Sequence, residues 1–112
     1  SAAAQFREAA RLATGDASIR FQLGLAYTEA GETDLAIAAF RDAIALGPEE
    51  ANAYYNLGLA YVQKAQLSRV EEKRALLQLA LDEFRLFQQF ASQDPTAAAA
   101  AHNVRALEPQ VK

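Results

Sequence analysis

The chain has 112 residues, a length typical of one domain, and 52% of them are hydrophobic, which is enough to form a buried core and excludes a disordered tail. The net charge of -3 argues against binding to the phosphate backbone of nucleic acids, because such binding depends on clustered cations. The absence of cysteine excludes disulfides, thiolate nucleophiles and cysteine zinc sites, and a single histidine leaves little room for metal or general-base chemistry.

The sequence pattern predicts six helices and no strand. Alanine, the best helix former, is abundant, β-branched residues are few, and no segment alternates with period two. Apolar residues instead recur at i, i+3, i+4 and i+7, with Asp16 as a candidate N-cap and Gly31 as a candidate helix stop. In chain order, we predict four parts of a single domain over 1–112, namely residues 1–14, 17–48, 51–95 and 96–108.

The chain repeats itself with a period of 34 residues. The segment Phe21–Tyr27 recurs as Tyr55–Tyr61, which places Gly24 and Gly58 at the same position of two units. At the same spacing, Ala2, Phe6, Arg7 and Ala9 recur as Ala36, Phe40, Arg41 and Ala43. A helix–turn–helix unit that recurs in register predicts stacked hairpins, because one hairpin alone cannot bury both of its faces.

This pattern resembles the tetratricopeptide repeat (TPR) family. The 34-residue unit of that family carries Leu-Gly-x-x-Tyr on its first helix, Ala and an aromatic residue on its second helix, and then Pro. The matching residues of the first unit are Leu23, Gly24, Tyr27, Ala36, Phe40, Ala43 and Pro48. Those of the second unit are Leu57, Gly58, Tyr61, Ala80, Phe84 and Pro95. The resemblance implies an all-α fold of antiparallel helix–turn–helix repeats stacked in a right-handed superhelix.

Three segments depart from the family pattern. Residues 1–14 look like the second helix of a repeat without its first helix, so we interpret the chain as a fragment of a longer TPR protein. The second unit has ten extra residues before its aligned segment, with a capping-box pattern at Ser68 and Glu71. They predict a second helix that extends about 15 Å beyond its counterpart. Residues 96–108 resemble a further first helix with Arg105 at the glycine position, and we expect them to cap the array.

The resemblance also implies a peptide-binding groove along the first helices of the stacked repeats. One predicted row contains Phe21, Tyr55 and His102, and the row beside it contains Gln22, Asn56 and Asn103. Leu25 and Leu59 lie one turn further along, and Ser18 and Asn52 lie one turn before. Aromatic rings and amides would suit an extended, uncharged peptide. The alternative that the sequence leaves open is that Phe21 and Tyr55 only fill the inner layer of the array.

Other kinds of site find little support in the sequence. Some family members hold the C-terminal carboxylate of a chaperone with Lys, Asn and Arg side chains, but only Asn56 matches such a position. The other clamp positions hold Phe21, Leu25, Ala99 and Asn103. His102 has no neighbouring His or Cys and no suitably spaced Asp, so we expect no metal or catalytic role for it. No nucleophile–base pair, phosphate loop or paired carboxylates occur, and we predict no enzymatic activity and no cofactor.

The predicted function is therefore a non-catalytic scaffold that binds an extended segment of a protein partner. Two alternatives stay open: a module that forms a homodimer through the N-terminal helix or the elongated second helix, and a regulatory arm of a larger protein. The apolar side of that elongated helix is either covered by a long preceding helix over 51–66 or free to contact a partner. No membrane insertion is expected, since no apolar run approaches the ~20 residues that span a bilayer. The compartment stays undecided between the cytoplasm and the periplasm.

Overall fold

The computed structural model describes residues 1–48, 51–91 and 97–111, which form six α-helices and no strand. The helices are α1 (Ala2–Leu12), α2 (Ala17–Glu29), α3 (Thr33–Leu46), α4 (Ala51–Ala65), α5 (Val70–Phe90) and α6 (Ala97–Val111). Each helix packs against the next one in the chain, and α2 also touches α4. The predicted all-α fold of stacked helical hairpins is confirmed.

Helix α2 begins and ends next to residues whose chemistry suits those positions. Asp16 is the N-cap of α2, and its Oδ1 accepts a hydrogen bond of 3.2 Å from the backbone N–H of Ile19. Gly31 follows α2 with a φ of 76°, a left-handed conformation that glycine adopts without steric strain. Glu32 N–H then donates to the Tyr27 carbonyl at 2.9 Å, which closes the turn into α3. Both sequence signals therefore act as predicted.

The capping box predicted at Ser68 and Glu71 is wrong. Helix α5 begins at Val70, and its N-cap residue Arg69 makes no side-chain capping hydrogen bond. The Ser68 hydroxyl instead donates to the carbonyl of Lys64 at 2.9 Å, so it ends α4 and does not start α5. The Ser68 hydroxyl could pair either with a backbone group at the start of α5 or with a carbonyl at the end of α4. The sequence pattern alone does not show which of these two pairings forms.

The core is closest packed where the two helices of a hairpin cross. A Cβ atom on Gly24 would lie 2.5 Å from Cε1 of Phe40, and one on Gly58 would lie 2.8 Å from Cε1 of Phe84. Both phenylalanines are 0% exposed. Since neither ring has room to retreat, only glycine allows α2 to approach α3, and α4 to approach α5, this closely.

Helix α5 is the longest helix of the array, with 21 residues against 14 in α3. When Phe40 is aligned with Phe84, both helices end at equivalent residues, so the additional seven residues all lie at the N-terminus of α5. They extend it by about 10 Å, less than predicted, because the turn over 66–69 uses part of the insertion. Leu77 is buried in the core near α4, whereas Val70 is 76% exposed.

Helix α6 runs to Val111, beyond the boundary predicted at 108, and contains Pro109. Val104 and Leu107 are buried, and Arg105 is exposed at the position that glycine occupies in the two hairpins. The predicted Pro95 stop and the predicted helix start at Thr96 lie outside the described residues. The division of the chain into repeats and a cap stays a prediction.

We expect Gly24→Ala to lower the free energy of unfolding by about 1–3 kcal/mol, because the added methyl group overpacks against Phe40. The higher helix propensity of alanine offsets only part of this loss. Urea unfolding of the variant measures the effect.

Gly15→Ala is the matched control, because a Cβ atom there meets nothing within 4 Å. Combining Gly24→Ala with Phe40→Leu should cost less than the sum of the two single changes, since the smaller side chain leaves space. Equal losses at positions 15 and 24 would contradict the proposed close contact.

Candidate functional site

The predicted groove residues are distributed over three helices. Ser18, Phe21, Gln22 and Leu25 lie on α2; Asn52, Tyr55, Asn56 and Leu59 lie on α4; His102 and Asn103 lie on α6. Helices α2 and α4 contact each other, whereas α6 is positioned mainly by α5. None of these ten residues is Lys, Arg, Asp or Glu. The surface that they would form is therefore neutral apart from His102.

The aromatic residues of this surface are half-buried and rest on the second helices. The Phe21 ring lies 5.8 Å from the Phe40 ring at an angle of 51°. The Tyr55 ring lies 5.7 Å from Phe84 and 5.2 Å from Phe87, again tilted. Tilted pairs at these distances are favourable beyond the area that they bury. Phe21 and Tyr55 thus fill the inner layer and still expose part of each ring.

The hydroxyl group of Tyr55 makes no hydrogen bond within the described part of the chain, although the ring beneath it is held from two sides. The other tyrosines of α4 differ: Tyr54 donates to the Pro48 carbonyl at 2.7 Å, and the Tyr61 hydroxyl accepts from Arg41. Tyr55 therefore presents a fixed hydroxyl group that can donate to or accept from a ligand.

The polar row is only partly available for binding. Gln22, Asn52 and His102 are exposed, and Asn103 is half-buried. Asn56 is half-buried as well, and its Nδ2 donates to the Asn52 carbonyl at 2.8 Å. One donor of Asn56 is thus used within α4, while its side-chain carbonyl stays free to accept a hydrogen bond.

The two leucines of the predicted groove differ in exposure, although they are equivalent in the repeat. Leu59 is 40% exposed, whereas Leu25 is half-buried against the core. Leu59 lies one helical turn from Tyr55 and on the same side of α4, because residues four apart share a face. The half-buried Tyr55 and this exposed leucine therefore form one apolar surface on α4.

Arginine contacts between successive hairpins were not predicted. Arg41 on α3 donates to the Tyr61 hydroxyl of α4 through Nε at 2.8 Å and also through Nη2. Arg85 occupies the equivalent position of α5, and its Nη2 lies 3.1 Å from Oε2 of Glu108 on α6. The recurrence of arginine after each core phenylalanine was a signal for this contact, but the sequence did not reveal its partners.

Glu83 on α5 is a second residue that the sequence analysis missed. It is half-buried, and its Oε2 is buried without a hydrogen-bond partner in the described residues. The pKa of this carboxyl group is raised to about 7, mainly by burial and in addition by the charge of Asp82, while Arg41 opposes the rise. Glu83 therefore changes its charge near neutral pH. It lies close to Arg41, the residue that joins α3 to α4.

Comparison with known protein families identifies one segment. Residues 24–64 match the family model described as TPR repeat, which spans the crossing of the first hairpin and most of α4. No curated protein matches the chain.

In the described ranges, no cluster of three or more His, Cys, Asp or Glu residues could hold a metal ion. Within the same ranges, every helix is too short or too polar to cross a membrane.

We expect Glu83→Gln to stabilise the protein at pH 8 and to leave its stability near pH 4 unchanged. The carboxyl group ionises near its usual pKa of 4.5 in the unfolded chain but near 7 in the folded protein. The free energy of unfolding of the wild type therefore falls between these two pH values and stays lower above them. Because the group is partly solvated, the gain at pH 8 should be about 1–2 kcal/mol.

Urea unfolding at the two pH values measures this difference. Glu72→Gln is the control, since Glu72 lies on the same helix but is exposed. A gain for Glu83→Gln of equal size at both pH values would show that the charge of Glu83 is not its cause.

Proposed function

We propose that this chain, of which residues 24–64 match the TPR repeat model, is a non-catalytic interaction scaffold that binds an extended, uncharged segment of a protein partner. The segment would lie along α2 and α4 and continue towards α6. The observation that carries this proposal is the arrangement of Phe21, Tyr55 and Leu59: two half-buried rings anchored on the second helices, and an exposed leucine one turn from Tyr55.

Anchored rings favour binding because they are ordered before the ligand arrives. Phe40 fixes Phe21 from beneath, and Phe84 and Phe87 fix Tyr55. A peptide that covers these rings gains apolar contact without the loss of side-chain freedom that flexible residues would suffer. We expect the rings of Phe21 and Tyr55 to supply most of the binding free energy.

Neutral hydrogen-bonding groups would fix the direction of the bound segment. Gln22, Asn52 and Asn103 can each donate to and accept from a peptide backbone, and the Tyr55 hydroxyl can do the same. No lysine or arginine belongs to the predicted groove, so a terminal carboxylate would lack the cation that holds it in charge-dependent sites. An internal, uncharged segment of the partner suits this surface better than a charged chain end.

The contacts between hairpins support such a role because they fix the spacing of α2, α4 and α6. Arg41 joins α3 to α4, and Arg85 joins α5 to α6. Lys64 of α4 also lies 2.8 Å from the carboxylate of Asp34 on α3. When the spacing between these helices is fixed, a peptide whose side chains have the same spacing can bind without a rearrangement of the protein.

Panning a displayed library of random 12-residue peptides against the wild-type chain tests the proposal. We expect uncharged sequences with aliphatic or aromatic residues to be enriched. Leu59→Glu should weaken the enriched peptides at least about tenfold, because it places a charge in the apolar contact. Tyr55→Phe should weaken them about threefold or more, since it removes the hydroxyl but keeps the ring.

Leu46→Glu is the matched control, because Leu46 is 43% exposed, close to the 40% of Leu59, but lies on α3 outside the groove. The peptides should bind this variant as they bind the wild type. Equal weakening by both glutamates, or a library without enrichment, would contradict the proposed groove.

A further inference from the structure

The N-terminal extension of α5 presents an exposed face that the groove does not use. We define the projecting face as Leu67, Val70, Glu71, Arg74 and Ala75, all of which are exposed. Residues 70, 71, 74 and 75 share one side of the helix, and Leu67 lies in the turn just before them. Leu67 is 83% exposed and Val70 is 76% exposed, the two highest values among the exposed large hydrophobic residues.

The apolar part of this face continues into a neighbouring cleft. Leu67 and Leu35 line a cavity of about 370 Å³ between the α2–α3 turn and the α4–α5 turn. Leu35 is itself 46% exposed. Three exposed large hydrophobic residues, Leu35, Leu67 and Val70, therefore lie in or next to the α2–α3 and α4–α5 turns, and exposed apolar patches can mark a contact with another protein.

The charged residues of the extension have no partners in the part of the chain that the structure describes. Four charges follow one another at Glu71, Glu72, Lys73 and Arg74, and none of them takes part in an ion pair or a side-chain hydrogen bond there. Their charges sum to zero, so the segment attracts neither strongly acidic nor strongly basic surfaces as a whole.

The order of these charges matches a second copy of the same segment in the opposite direction. If two copies of α5 pair antiparallel about a two-fold axis between residues 72 and 73, Glu71 of each copy faces Arg74 of the other. Val70 and Ala75 then lie on the two edges of the contact, on either side of these central pairs. A parallel pair in the same register would place like charges opposite each other, so only the antiparallel pair is complementary.

We propose that the projecting face binds a second copy of this chain and forms a two-fold symmetric dimer. On α5 the contact covers residues 70–75, fewer than two helical turns, which is smaller than a standard stable interface, so the dimer is weak, with a dissociation constant on the order of hundreds of micromolar. Because part of the attraction is between exposed charges, added salt weakens it. The proposed contact does not involve the predicted groove on α2 and α4, since none of the groove residues belongs to the projecting face.

Sedimentation equilibrium from about 10 µM to 1 mM tests the proposal, with the expected association in that range. The wild type should dimerise reversibly, and its dissociation constant should rise at high salt. Glu71→Lys and Arg74→Glu should each weaken the homodimer at least about tenfold, because each places like charges opposite each other twice.

The two weakened variants provide the decisive comparison. Mixed together, Glu71→Lys and Arg74→Glu should form a heterodimer, since both facing pairs are then of opposite charge. The double variant with both changes should dimerise with itself. Two control variants should dimerise as the wild type does. Glu29→Lys reverses an exposed charge on α2, and Leu59→Glu changes the groove.

A wild-type chain that stays monomeric at 1 mM would overturn the proposal. So would single variants that dimerise as strongly as the wild type, or a mixture that shows no gain over its components. All of the substituted residues are exposed, and circular dichroism of each variant checks that its helices are intact.

Discussion

The close contact between a glycine and a buried phenylalanine fixes the arrangement of the helices. At Gly24 and again at Gly58, the absence of a side chain lets the first helix of a hairpin approach the ring of Phe40 or Phe84. The ring fills the space that the glycine leaves, so helix separation and core packing are set by the same pair. Because the pair recurs, α2 and α4 have the same relation to their partners, and they come to lie side by side.

The core phenylalanines also support the predicted groove, because Phe40 and Phe84 contact the rings of Phe21 and Tyr55 as well as the two glycines. Changes in the core would therefore be transmitted directly to that surface. Charged groups are found elsewhere, in the contacts between hairpins and on the extension of α5. The two proposed surfaces thus differ in chemistry: the groove along the first helices is neutral and partly aromatic, and the projecting face at the start of α5 carries charges of both signs.

Much of the fold was predictable because local periodicity determines it. The 34-residue spacing of Gly24 and Gly58 identified two equivalent hairpins, and the helical spacing of apolar residues showed which side of each helix is buried. The resemblance to the TPR family, and not the spacing alone, indicated which of the recurring positions are the candidate groove residues. Asp16 and Gly31 ended their helices as expected, because capping depends on groups only a few residues away.

Tertiary structure decided whatever depends on residues that are distant in the chain. The repeat makes Leu25 and Leu59 equivalent, yet only packing against neighbouring helices determines that Leu59 is the more exposed. Arg41 and Arg85 recur in sequence, but one pairs with a tyrosine and the other with a glutamate, because the facing residue belongs to the next hairpin. The raised pKa of Glu83 likewise comes from burial by surrounding helices. Periodicity encodes which side of a helix is covered, whereas partners, exposure and charge state require distances between helices.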